Sequence, residues 1–491
     1  MKILFISLGC DKNLVDSEEM LGILRAQGYE FTDDETEADV IIVNTCCFIN
    51  DAKDESIQTI LEMAEYKKSG SCRALLVTGC MAQRYRQEIL DELPEVDAVL
   101  GTTAWENIAG AIEKALAGDR SMEMEPLDRL PALQAPSGNR VVTTGGHFAY
   151  LKIAEGCDKH CTYCIIPKLR GPYRSVPMEQ LLSQAEALAA QGVKELILVA
   201  QETTVYGVDL YGHKCLHLLI EALCKISGLR WIRILYCYPE EIYDELIEVM
   251  RREPKVCHYL DLPIQHASDA VLKRMGRRTT RADLTAIIEN LRENIPDIVL
   301  RTTLIAGFPG ETQQQHEELM DFVDEMEFDR LGVFPYSQEE DTPAALMPDQ
   351  LDEETKQIWQ EELMELQQEI AFDRAEQMIG RTVTAMVEGE LMEEEELQRT
   401  DAEQPGAEQT EAGQSDTEEP DTERPDGDLT YPRAAYAHTY VARTYGDAPN
   451  VDGLLFINTD ESLMTGDFAQ VKITGAQEYD LIGVIADEFT E

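Results

Sequence analysis

The sequence predicts an α/β protein in three parts: an N-terminal doubly wound α/β domain, a central β/α barrel and a small antiparallel β-barrel at the C-terminal end. Three observations carry this. Apolar, β-branched runs alternate with helix-spaced segments through about residue 340, the pattern of parallel sheets with crossover helices. A stretch rich in Pro, Gly and Ala, about 125–145, divides that series in two. Beyond residue 380 the alternation gives way to short strands punctuated by glycine, as in small closed β folds. A chain of 491 residues has room for two to four such domains.

In the first part, 1–124, residues 2–8, 40–44 and 74–78 read as buried parallel strands. Helical spacing covers 17–26, with acidic residues in its first turn and Gly28 beyond its end, and then 56–67 and 83–90. Each strand runs into a cysteine: Leu8-Gly9-Cys10, Asn44-Thr45-Cys46 and Thr78-Gly79-Cys80. In an open parallel sheet the carboxyl ends of the strands face one crevice, so three thiols from distant loops should converge there. Cys10, Cys46 and Cys80 are therefore candidate ligands of a metal cluster; three buried free cysteines are the alternative. Cys47 should point away from Cys46 if the backbone stays extended. Cys72, Cys215, Cys224, Cys237 and Cys257 share no geometry and read as packing residues.

The second part, 143–376, has strands expected at 148–154, 195–200, 231–236, 258–264, 298–306 and 330–336, a partial or closed barrel with its chemistry at the strand C-termini. Polar residues collect there: Gln201 and Glu202, Gln265 and His266, and Tyr336-Ser337. The turn Gly307-Phe308-Pro309-Gly310-Glu311-Thr312 should let backbone approach a ligand, with Glu311 opening the next helix. Arg301 can face the interior and reach a carboxylate, or form a structural ion pair. The first strand delivers the chain to Gly156 and then to Cys157-x3-Cys161-x2-Cys164. Three thiolates on one tight loop can hold three corners of an iron–sulfur cubane, leaving one iron open to a non-protein ligand. A three-cysteine zinc site or a chance cluster are the alternatives, although zinc sites usually pair C-x2-C motifs or add a fourth Cys or His.

A charged amphipathic helix over 352–374 closes the second part. The third, 378–491, has strands expected at 382–388, 437–443, 453–458, 467–474 and 481–486. A low-complexity acidic insert at about 389–429 interrupts it between the first two strands; 388–428 holds 17 acidic and 2 basic residues and should be disordered. The whole chain carries a formal net charge of −52, which argues against broad contact with nucleic acid or anionic membrane and suits a basic partner, or solubility alone. Lys273, Arg274, Arg277 and Arg278 are a locally basic exception. Twelve cysteines, an opening apolar run too short for a leader and followed at once by Asp11, Lys12 and Asn13, and no run long enough to span a bilayer all point to the cytoplasm.

The three-cysteine loop resembles the signature of the radical S-adenosylmethionine (SAM) enzymes, and Tyr163 matches the aromatic that packs near the cofactor in that superfamily. With all three parts placed, the chain resembles the methylthiotransferases, which join an N-terminal α/β domain, a radical SAM barrel and a TRAM domain; only the acidic insert departs from that pattern. Ser7-Leu8-Gly9-Cys10-Asp11-Lys12-Asn13 and Tyr445-Gly446-Asp447-Ala448-Pro449 look like the RimO-type branch, which modifies the β-carbon of an aspartate in small-subunit ribosomal protein twelve. The runner-up is the tRNA adenosine branch, which usually reads Gln-Met-Asn after the first cysteine and must meet a polyanion. The resemblance implies two 4Fe-4S clusters and SAM. Cys157, Cys161 and Cys164 would hold the cluster that cleaves SAM to a radical, and Cys10, Cys46 and Cys80 the auxiliary cluster that supplies sulfur. Tyr163, Gln201, Glu202, Gln265 and Arg301 become candidate cofactor contacts. The implied partners are the ribosomal protein, free or in the ribosome, and an electron donor such as flavodoxin or ferredoxin, with no membrane and a monomeric chain.

Overall fold

The computed structural model describes residues 1–131, 140–391 and 436–486. The chain forms two compact units, Met1–Asp373 and Arg374–Glu491. The first unit contains two parallel sheets. One is built from β1 (Lys2–Ser7), β2 (Glu30–Phe31), β3 (Val40–Thr45), β4 (Ala74–Gly79), β5 (Ala98–Leu100) and β6 (Ser121–Glu123), in the order β2-β1-β3-β4-β5-β6. Every residue of β3 and β4 is buried, as a parallel strand between two helical layers requires. β2, β5 and β6 were not foreseen; strands of two or three residues leave no periodicity to read.

The first helix spans Asp11–Ala26 and starts directly after Cys10, six residues earlier than its apolar spacing suggests. Its buried first turns carry Lys12, Asn13, Asp16, Ser17 and Glu18, a polar face that a hydrophobic pattern cannot see. The expected helix at 83–90 is two short ones, Cys80–Tyr85 and Gln87–Glu92, so Cys80 opens a helix.

The second sheet contains β7 (Phe148–Lys152), then, after the two-stranded clip of β8 (Ala154–Glu155) and β9 (Arg174–Ser175), β10 (Glu195–Val199), β11 (Trp231–Ile234), β12 (Val256–Asp261), β13 (Val299–Ala306) and β14 (Arg330–Pro335). Its order is β14-β13-β12-β11-β10-β7, all parallel, with β7 and β14 at the edges, so the barrel is partial. Helices Met178–Ala190, Leu216–Leu223, Asp244–Arg252, Arg281–Asn294 and Gln313–Met326 return the chain between strands. They bury Leu181, Leu219, Leu246, Leu284 and Phe322 in one continuous core with the sheet. The two sheets meet where helix Asp11–Ala26 packs against β7.

In the second unit β15 (Thr382–Glu390), β16 (His438–Thr444), β17 (Leu455–Thr459), β18 (Phe468–Gln477) and β19 (Asp480–Ile485) close into a barrel, β15-β16-β17-β19-β18. It is not wholly antiparallel, because β17 and β19 pair parallel. The disorder expected of the acidic insert concerns residues outside the described ones. Its two flanking strands are direct antiparallel neighbours, with Glu390 opposite Tyr440 and the Leu391 amide donating to the Thr439 carbonyl at 2.9 Å. The insert therefore joins two neighbouring antiparallel strands, and loop length costs only about 0.6 kcal/mol per doubling. Replacing 393–426 by a short Gly-Ser bridge should leave the barrel's thermal midpoint within a few degrees of the parent by calorimetry. If the insert also steers a basic partner, association slows at low salt only. A collapse of the midpoint would show that the insert packs on the barrel.

Candidate active site

The N-terminal cysteines come together because the strand ends are tied by buried polar bonds. Leu8 donates its amide to the Asn44 carbonyl at 2.9 Å, and the Thr45 hydroxyl bonds the Thr78 carbonyl at 2.5 Å. Asn13, one turn into the first helix, donates its side-chain amide to the carbonyls of Leu8 and Thr45, at 2.7 and 3.2 Å. Ser56 clamps Cys46 through both its amide and its carbonyl. Two glycines permit the close approach. Gly9 has φ +86°, and a Cβ there would meet the Cβ of Cys46 at 2.7 Å; Gly79 has φ +92°, and a Cβ would meet the Thr45 carbonyl oxygen at 2.5 Å.

Cys46 and Cys80 are buried, whereas Cys10 lies exposed at the rim. Burial, followed by the neighbouring Cys80 and Cys10, pushes the Cys46 thiol up to about 12. Burial raises Cys80 too, against the nearby guanidinium of Arg170. Thiols so placed ionise only when a cation supplies the missing charge, which suits a metal-bound state. Cys47 sits wholly buried in the apolar core with Val43, Val77 and Met81, as a packing residue.

The second triad is held on a loop pinned at its base and its tip. At the base, β8 pairs with β9 and the Cys157 amide donates to the Gly171 carbonyl at 3.1 Å. At the tip, Thr162 donates its amide to the Met275 carbonyl and its hydroxyl to the Arg274 carbonyl, and accepts the Ala344 amide at its own carbonyl. Cys157 and Cys161 are buried and Cys164 is half-buried. Burial pushes Cys157 up to about 12 and Cys164 higher still. Tyr238 Oη lies 3.0 Å from Cys161 Sγ. Arg277, expected in a basic surface patch, is instead buried with its guanidinium stacked 4.3 Å from the Tyr238 ring centroid; only Lys273 and Arg278 of that group are exposed.

The other expected contacts separate into distinct jobs. Gln201 is spent on the loop itself, accepting from the Gly156 amide at 2.8 Å and donating to Glu155 at 3.0 Å. Glu202 is buried beside Cys157; one oxygen takes bonds from Thr204, while Oε2 has no partner, and burial lifts the carboxyl to about 7. That orphaned oxygen suits a cationic ligand group. Arg301 forms an ion pair with Asp261 on the neighbouring strand at 2.9 Å, the structural alternative. Gln265 follows β12 with φ +72°, held by a single bridge to Leu304, which marks a strained position at the strand C-terminal end. Tyr163 packs against Val271, Met275, Phe308 and Tyr336, beside the cysteine loop.

The Gly-Phe-Pro-Gly turn differs from expectation. A Cβ on Gly307 would meet Lys356 Cγ at 2.5 Å, so the glycine serves the packing of helix Glu353–Gln377. Thr312, with a capping box to Gln315, starts the next helix. Glu311 turns inward, accepting from His266 Nε2 at 2.9 Å and from the Phe308 amide at 2.8 Å.

Sequence reasoning missed the contact zone between the two triads. Asp16, Glu155 and Arg170, all buried, form a quartet of two cations and two anions there with the partly buried Lys152. Although burial opposes it, Lys152 and Arg170 hold the Glu155 carboxyl down to about 2. Lys12 covers the Tyr236 ring at 3.1 Å from its centroid, and the Tyr236 hydroxyl donates to Asp11 at 3.0 Å. Charged residues beside each cysteine loop were the available signal, but the partners that join one loop to the other, Asp16 to Arg170 and Asp11 to Tyr236, lie over a hundred positions apart.

No group of three His, Cys, Asp or Glu side chains among the described residues is gathered tightly enough for one metal ion. The two cysteine triads suit a larger inorganic unit, in which each thiolate binds a different iron. A three-cysteine loop at the C-terminal end of a partial parallel β/α barrel is the arrangement of a radical SAM protein, and residues 151–323 match the radical SAM superfamily. Residues 2–101 match an uncharacterized family, UPF0004, and 434–486 the TRAM domain. A radical SAM methyltransferase, TsrM, from Kitasatospora setae shares the fold at a TM-score of 0.52 and 14% identity, covering 77% of this chain and 78% of that one. The ribosomal protein uS12 methylthiotransferase RimO of Lachnoclostridium phytofermentans is 58% identical over 98% of this chain and 99% of its own. Those of Pelotomaculum thermopropionicum and Clostridioides difficile are 46% and 43% identical over 98% and 99% of this chain, each across 99% of the relative. The chain belongs to the RimO family of methylthiotransferases. No helix among the described residues is long and apolar enough to cross a membrane.

Proposed function

We propose that this chain methylthiolates the β-carbon of an aspartate in ribosomal protein uS12, the protein named for its relatives. Cys157, Cys161 and Cys164 would hold one 4Fe-4S cluster, which would bind and cleave SAM, and Cys10, Cys46 and Cys80 would hold a second. The observation that carries the reading is the pair of cysteine triads at the C-terminal ends of two parallel sheets, brought to one contact zone by Arg170. When bound, these groups supply what no side chain can, homolytic removal of hydrogen from an unactivated carbon and a sulfur to replace it.

The residues do the rest. Glu202 Oε2, buried and unpartnered, accepts the ammonium of SAM. Tyr238 donates to the Cys161 thiolate, and Gln201 holds the backbone entering the loop, so the ligands keep one geometry. Phe308 and Tyr336, edge to face at 5.4 Å and both buried, help keep water from this end of the sheet. The domain limits 1–124, 143–376 and 378–491, a monomeric chain, a cytoplasmic setting and a flavodoxin or ferredoxin donor belong to the same proposal.

Glu202→Gln should weaken SAM binding roughly 10- to 100-fold, the range for a lost charged hydrogen bond, at unchanged iron content. Equilibrium dialysis against SAM reads this, and an unaltered dissociation constant removes Glu202 from the site. The function is tested by mass spectrometry of ribosomal proteins and tRNA from cells with and without the chain. A methylthio group lost from a uS12 aspartate is the expected difference; one lost from a tRNA adenosine makes this the other branch.

A further inference from the structure

Arg170 is a fully buried arginine whose two terminal nitrogens face different parts of the molecule. Nη1 donates to Asp16 at 2.6 Å and to Glu155 at 3.4 Å. Nη2 donates to the Asn13 side-chain oxygen at 2.9 Å and lies 3.4 Å from Cys80 Sγ. Asn13 in turn holds the carbonyls of Leu8 and Thr45, which flank Cys10 and Cys46. Glu155 sits two residues before Cys157 and takes Lys152 at 2.7 Å on the same oxygen, while Lys152 also pairs with Asp16. One guanidinium thus touches a thiol of the N-terminal triad directly, reaches the loops of the other two through one amide, and grips the strand that enters the second triad. Its fork is what makes this possible, since an ammonium cannot serve two directions with fixed geometry.

The charges around it balance: Arg170 and Lys152 against Asp16 and Glu155. Burial removes the water that would otherwise screen them. A cationic donor on a ligating thiolate stabilises the reduced, more negative state of an iron–sulfur centre and so raises its reduction potential. The cysteines of the second triad lack such a contact from Arg170, which reaches that loop only through Glu155.

We propose that Arg170 is a positioning residue for the N-terminal cluster, holding the Cys80 loop and setting the reduction potential of that cluster apart from the SAM-cleaving one. This rests on the two-cluster reading above. In a Cys157→Ala/Cys161→Ala/Cys164→Ala background only the N-terminal centre remains, and its potential is read by redox titration followed by electron paramagnetic resonance. Arg170→Gln leaves the quartet one positive charge short and should shift that potential downward. Arg170→Lys keeps the charge without the fork and should shift it less, and it reads the same quantity if the Gln variant loses iron. In the complementary Cys10→Ala/Cys46→Ala/Cys80→Ala background, the SAM-cleaving centre should keep its potential with either substitution. A purely structural arginine would lower iron content or thermal midpoint without moving one potential alone. An unshifted N-terminal potential with iron retained, or equal shifts in both centres, overturns the proposal. If the first background with Arg170 intact binds no iron, the two-cluster reading fails and this inference falls with it; iron bound without a shift sinks the inference alone.

Discussion

Cys46→Ala is expected to leave reductive SAM cleavage running while abolishing methylthio product. Cys46 lies beyond the end of β3, clamped by Ser56, and shares no bond with the loop that carries Cys157, Cys161 and Cys164. Removing it takes one thiol from the N-terminal triad only. Deoxyadenosine release, measured by liquid chromatography, should stay within a few-fold of wild type, while peptide mass spectrometry should find no mass gain on the substrate aspartate. Cys47→Ala is the control. Its side chain fills the apolar core, so about 1 kcal/mol of stability is lost to the vacated volume and product still forms. Product at the wild-type level in Cys46→Ala would take Cys46 out of the site.

The second large effect is on iron. Anaerobically reconstituted protein should bind about eight irons, four per cubane, and Cys157→Ala should keep about half while losing SAM cleavage entirely. The halving follows because, apart from Arg170, the two triads are anchored on different residues. The Cys157 loop hangs from Gly171, Met275 and Gln201, whereas the other three cysteines hang from Asn13, Ser56 and the ends of β1, β3 and β4. Iron and acid-labile sulfide assays read the count, and deoxyadenosine reads the cleavage. A wild-type plateau near four irons would mean the N-terminal thiols hold no cluster. A Cys157→Ala protein with no iron would mean that the two centres fold as one.

The parts legible in the sequence were those written in local pattern. The apolar runs of β1, β3 and β4, each running on to a cysteine, predict a parallel sheet with thiols at one edge, and the strands place them there. The Cys157-x3-Cys161-x2-Cys164 spacing can be read as a cluster loop without any tertiary knowledge. Less legible was anything whose meaning depends on a distant partner. The start of helix Asp11–Ala26 was missed because its buried turn is polar, satisfied by Asn44, Arg170 and Arg140. Gln201, just past a strand end, and Arg301, inside a strand, read alike as cofactor contacts. One holds Gly156 and the other pairs with Asp261, which only the register of β12 against β13 could reveal.

By itself, the sequence determined the fold class, the placement of cysteines at the strand ends and the acidic character of the chain, because hydrophobic period, residue spacing and net charge are local or additive quantities. The tertiary structure alone decided that the barrel stays open, that β17 and β19 pair parallel, and that a balanced set of buried charges joins the two triads. A buried charge is tolerated only with its counter-charge in place. Glu155 is near in sequence, but Asp16, the anion that pairs with both Arg170 and Lys152, lies more than a hundred positions from either, where no window on the sequence can find it.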